Sequence, residues 1–123
     1  MDPRTKKFQL LPSQIRQLVP SMGACYASDR ITVDGCRVGY MYREKPDSAT
    51  DSGWRFFAGD ESEDYANTAD NLAIYEVNTV CNYDQAIIPY LTATYGSAFG
   101  RNAETNGFEP EAAPTDDSAG CDS

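Results

Sequence analysis

The chain has 123 residues, 10 Lys and Arg against 19 Asp and Glu, a formal net charge of -9, four Cys and no His. Without an imidazole there is no Ser-His-Asp or Cys-His catalysis, no His switch near neutral pH and no zinc site built on His; a pI near 4.3 argues against direct nucleic-acid binding and favours a cationic partner. The length suits one domain that buries about two thirds of its unfolded surface. No run approaches the ~18–20 apolar residues of a membrane helix, and Met1-Asp2-Pro3-Arg4 leads into no signal-peptide core, so a soluble, cytoplasmic protein is expected.

Residues 1–21 form a basic segment in which Phe8, Leu10, Leu11, Ile15, Leu18 and Val19, bracketed by Pro12 and Pro20, predict a short helix. Residues 22–101 are expected to hold the domain, of α+β class, with a small, mostly antiparallel sheet of about four to five strands and about two to three short helices. Gly23 to Ser28 reads as a strand, Asp34-Gly35 as a tight turn, and Cys36, Val38, Tyr40 and Tyr42 alternate with Arg37, Gly39, Met41 and Arg43, which together predict a hairpin. Trp54-Arg55-Phe56-Phe57, between Gly53 and Gly59, reads as a short aromatic strand, and the lone Trp54 as a core residue.

Asp60, three residues before Glu63, has the spacing of a helix cap and predicts a helix from Glu61 to Ala66. Leu72 to Val77, apolar on both faces apart from Glu76, reads as a strand in the middle of the sheet. Asn82-Tyr83-Asp84 offers a cap for a helical turn through Ile87, Ile88 and Leu91, shortened by Pro89. Residues 102–123, with Phe108 their only large apolar side chain and a net charge of -5 from residue 101 onward, are expected to be a disordered acidic tail. Cys25, Cys36, Cys81 and Cys121 contain no CxxC pair, and the first three are expected in strands as free, buried thiols.

Asp60-Glu61-Ser62-Glu63-Asp64 places four carboxylates in five positions. The spacing is not that of an EF-hand loop, and Gly96 to Gly100 lacks the Lys of a phosphate loop. No metal and no cofactor is therefore expected. A solvated helix start accounts for the acidic run, and the same charges suit docking of a basic protein. The eight tyrosines add amphipathic surface of the kind enriched at interfaces.

Ala24-Cys25, Ser28-Asp29, Ile31, Asp34-Gly35, Val38-Gly39-Tyr40-Met41-Tyr42-Arg43-Glu44, Asp51-Ser52-Gly53-Trp54-Arg55-Phe56, Gly59-Asp60-Glu61, Asn78-Thr79, Cys81-Asn82 and Pro89-Tyr90-Leu91 form a series that resembles the thirty-third family of the Imm series of bacterial immunity proteins, over about residues 22–101. The resemblance implies a small cytoplasmic protein encoded beside a toxin of a polymorphic or contact-dependent competition system, which it binds and blocks. The expectation is a non-enzymatic inhibitor with no catalytic residues, whose basic toxin docks on Asp47, Asp51, Asp60, Glu61, Glu63, Asp64 and Tyr65. Two alternatives remain: a ligand-binding module or carboxylate-dependent enzyme around Asp51 to Trp54, and a general protein-interaction domain.

Overall fold

A computed structural model describes residues 10, 12–46, 48–68, 71–102 and 104–111. In chain order it has β1 (Ala24–Ser28), α1 (Asp29–Thr32), β2 (Tyr40–Arg43), β3 (Asp51–Phe57), α2 (Glu63–Ala66), β4 (Leu72–Glu76), α3 (Val77–Tyr83), a 3-10 helix (Gln85–Tyr90), β5 (Ala98–Arg101) and β6 (Phe108–Pro110). The class is α+β. Among the described residues one sheet has six strands in the order β4-β1-β3-β2-β5-β6, one or two more than expected. β1 and β3 run parallel, and every other pair is antiparallel.

β3 organises the sheet. Side chains alternate along a strand, so Trp54 and Phe56 enter the core on one face, fully buried, while Arg55 and Phe57 belong to the other. Trp54 is a core residue as expected: its ring stacks on Phe56 at 5.8 Å and its indole Nε1–H donates to the Leu91 carbonyl at 3.1 Å. Met41 of β2, Cys25 and Ala27 of β1, Ile31 of α1, Val77, Val80 and Cys81 of α3 and Ile87 complete this core. The spacing 77, 80, 81 is the i, i+3, i+4 stripe of a helix laid on a sheet. At Ser52–Gly53 the strand bulges: Ser52 Oγ donates to the Ala24 carbonyl and accepts the Trp54 N–H, and Gly53 has φ 89°. A Cβ at Gly53 would collide with the Glu44 carbonyl, so only glycine fits.

Several expectations are corrected. β1 and β2 do not form a hairpin, because Ser28 caps α1 by accepting the Arg30 N–H, and β3 inserts between the two strands. Cys36 lies in the loop before β2, only half-buried, and Cys81 in α3; only Cys25 is in a strand, although all three are free thiols and Cys25 and Cys81 are buried. The cap of α2 is Ser62, whose Oγ accepts the Tyr65 N–H, and the helix starts at Glu63. β4 is an edge strand, not a central one, with Ile74 65% exposed. Its apolar residues on both sides mean that the uncovered face of the sheet is itself partly apolar.

The segment from Pro12 to Pro20 has one 3-10 turn, Pro12–Gln14, and is otherwise irregular. Asn78 and Asn82, one turn apart on α3, take the place of helical hydrogen bonds. Asn78 Oδ1 accepts the Leu18 and Val19 N–H groups, Asn82 Oδ1 accepts the Arg16 N–H, and both amides donate to the Arg16 carbonyl. Within the stretch expected to be tail, β6 pairs with β5 and buries Phe108 beneath Arg101, whose guanidinium lies 4.8 Å from the ring. The disorder expected beyond residue 111 lies outside the described residues, as do Asp47 and Cys121.

Candidate functional site

α1, α3, the 3-10 helix and the N-terminal segment pack on the Trp54 face of the sheet. The opposite face carries Tyr26 of β1, Arg55 and Phe57 of β3, and Tyr40 and Tyr42 of β2, brought side by side by the register Tyr26↔Arg55, Tyr42↔Arg55 and Tyr40↔Phe57. Tyr42 and Phe57 stack at 6.1 Å with 8° between their planes, and Tyr40 lies 5.8 Å from Tyr42. Over these rings, the loop from Ala58 and the short α2 raise one wall of a groove of about 320 Å³ lined by Tyr40, Tyr42, Phe57, Gly59, Glu61, Ala66 and Asn67. It continues past Tyr42, Phe57 and Ala66 into a second hollow of about 220 Å³ that reaches Tyr26, Glu44, Arg55 and Leu72.

Arg55 is the charged centre of the second hollow and is only 3% exposed. It bonds Asp51 at 2.8 Å and Glu44 at 2.6 Å, and its guanidinium lies 4.6 Å from the Tyr26 ring. Burial opposes its charge, but the hydrogen bonds it donates to Asp51 and Glu44 outweigh this and raise its pKa. A buried guanidinium is tolerated only with such partners. A second buried pair, Asp84 and Arg101 at 2.6 Å, joins backbone segments on the other side of the molecule. Asp84 also accepts the Val38 and Ala86 N–H groups, tying the 3-10 helix to the loop before β2.

The acidic run does not form one patch. Asp60 turns to Arg30 of α1, at 2.6 Å, and that hydrogen bond lowers its pKa. Glu61 lines the groove, where its two oxygens accept the Ala58 and Gly59 N–H groups at 2.8 Å. Glu63 and Asp64 are exposed in the first turn of α2, where their charge suits the helix dipole. Tyr65 leans towards α1; desolvation, then the charges of Asp29 and Asp34, raise its pKa. Asp51 is in the site, but as a ligand of Arg55.

Of the expected residues the structure therefore brings Glu61 and Asp51 to the open face, and turns Asp60 and Tyr65 towards α1. Tyr26, Tyr40, Tyr42, Phe57, Arg55 and Glu44 are additional. Their signal was the alternation around Met41 and Trp54: if those two point into the core, their neighbours point out together. The carboxylates Glu44, Asp51 and Glu61 on this face act as acceptors for the chain's own donors. Among the described residues no three His, Cys, Asp or Glu side chains group as a metal site, and no helix is long and apolar enough to cross a membrane.

No curated protein and no solved structure matches the chain. The profile of one family, described as "Immunity protein Imm33 domain", matches residues 25–110, a span that holds the groove and all six strands apart from Ala24, the first residue of β1.

Proposed function

The chain belongs to the Imm33 family of immunity proteins, and we propose that it acts in the bacterial cytoplasm as a non-enzymatic inhibitor that binds a cognate protein toxin and covers its functional surface. Family membership gives the general role in toxin immunity. The observation that supports the surface is the one-sided packing of the sheet: one face is filled with core, while the other presents tyrosine and phenylalanine rings edged by Glu44 and Glu61. Aromatic rings surrounded by polar groups are the usual make-up of a protein interface.

We take the partner to be basic. Residues 59–100 contain seven acidic and no basic side chains, so a cationic toxin would be steered to this part of the chain and its affinity would fall with salt. Glu63 and Asp64 act in that steering, being exposed and close in sequence to Glu61. Asp51 contributes indirectly by holding Arg55, and Asp60 by holding the loop.

The test is co-expression of the chain with the toxin domain encoded beside it, followed by purification and binding kinetics at two ionic strengths. Survival of the host and a stoichiometric complex whose association slows as salt rises are expected. Survival without a complex would remove the binding mechanism, and a complex indifferent to salt would remove the electrostatic part.

A further inference from the structure

We propose that the groove over Tyr40, Tyr42 and Phe57 receives an arginine side chain presented by the protein partner; this deepens the immunity reading and rests on it. The floor consists of aromatic rings, whose faces carry negative charge density and attract a cation within about 6 Å. Glu61 stands at one side, fixed by the Ala58 and Gly59 amides. At the other side is Glu111: its side chain lies over Gly100, where any Cβ would collide with it, and Gly100 is the β5 partner of Tyr40. The charge of Glu111 also bears on the Tyr40 hydroxyl, after desolvation the second cause of its raised pKa. Among the described residues that line the groove, Glu61 is the only ionised one.

The same face already contains such a site in filled form. Arg55 lies 4.6 Å from the Tyr26 ring with Asp51 and Glu44 as its two carboxylates. Around Tyr40 the same ingredients are open: Glu61 lines about 320 Å³ of groove over the rings, and Glu111, over Gly100, stands outside that lining on the Tyr40 side. A guanidinium suits this better than an ammonium, because it is flat enough to stack on a ring while its edge bonds carboxylates. The charge complementarity selects a basic partner, and the groove adds one residue type at one place.

The probe is the capped tripeptide Gly-Arg-Gly, titrated into the full chain and followed by NMR of the tyrosine and phenylalanine rings and of the Gly59 and Asn67 amides. Saturable shifts at Tyr40, Tyr42, Phe57, Gly59 and Asn67 are expected, with binding at least about threefold weaker for the citrulline peptide, which has the same shape and no charge. Glu111→Gln, an exposed change, and Glu61→Gln should each weaken the arginine peptide about two- to fivefold, with the amide spectrum showing an intact fold. Shifts scattered elsewhere, equal binding of citrulline, or indifference to both variants would overturn the proposal. So would groove shifts that follow protein concentration alone, which would mean that a second copy occupies the site.

The neighbouring toxin domain separates this from the broader reading. If it binds wild type and both Gln variants equally, the immunity function stands and the arginine groove falls. If it fails to bind while the arginine peptide still shifts the groove and the citrulline peptide does not, the groove stands and the toxin assignment falls.

Discussion

The two faces of the sheet are made from the same strands but differ in what they demand of each residue. On the covered face Trp54, Phe56, Met41, Val80 and Ile87 are fully buried, and the one polar group of Trp54 has its carbonyl partner. On the open face Tyr40, Tyr42 and Phe57 keep part of their rings in solvent, and the buried charge of Arg55 needs two carboxylates. β3 supplies both, alternating Trp54 and Phe56 with Arg55 and Phe57. The covered side carries stability, and the proposed function assigns the open side to recognition.

The largest effect should come from truncating the covered side. Trp54→Ala removes the biggest core side chain and leaves the Leu91 carbonyl without its donor, at a cost of about 3–5 kcal/mol. Phe57→Ala, three residues along on the opposite face, should cost only about 1 kcal/mol because its ring is already partly wet. Denaturant unfolding of the two variants tests the division: equal losses would abolish it. Toxin binding should show the reverse order, measured under conditions where both variants remain folded.

Arg55→Met probes the one place where the open face is built like a core. It keeps the stem but strands Asp51, whose side chain is 12% exposed, while Glu44 at 50% can turn to solvent. A loss of about 2 kcal/mol is expected, below the figure for a fully enclosed pair. Unchanged stability would place Arg55 with the recognition residues instead.

The division was partly legible in the sequence. The α+β class, the strand at Trp54 and the Asp84 cap of the turn before Leu91 follow from alternation and cap chemistry, and the structure has them. What misled was context that a local pattern does not contain. Leu72 to Val77 is apolar on both sides because the open face is aromatic, not because helices cover it. Asp34-Gly35 turns the chain without joining neighbouring strands, since β3 arrives later to separate them. The acidic run was visible, but its distribution to α1, to the groove and to solvent depends on where Arg30 and the Ala58 amide lie, which only the fold fixes.

Kinetic effects rank next. Glu63→Lys with Asp64→Lys reverses two exposed charges beside the groove without touching the Ser62 cap, so the fold should be unchanged. Association with a basic toxin should slow by about tenfold at low salt and approach wild type at high salt. An effect confined to dissociation would mean that these side chains are in direct contact with the toxin.

Asp60 joins the two regions, and its substitution should have the smallest effect on stability. It is exposed, but its bonds to Arg30 clip the loop that carries Glu61 to α1 on the covered side. Because Arg30 holds its folded pKa below the usual 3.8, the contribution is present above that value and is lost as pH falls through the folded pKa. The melting temperatures of wild type and Asp60→Asn should therefore differ slightly at pH 7 and converge once the pH is below the folded pKa of Asp60; a constant gap would mean that the carboxylate charge is not the cause. At neutral pH the variant should bind the arginine peptide more weakly than its stability alone suggests, since freeing the loop lets Glu61 move away from the rings. If binding is unaffected, the Ala58 and Gly59 amides alone hold Glu61 in place, and the two faces are independent at this point as well.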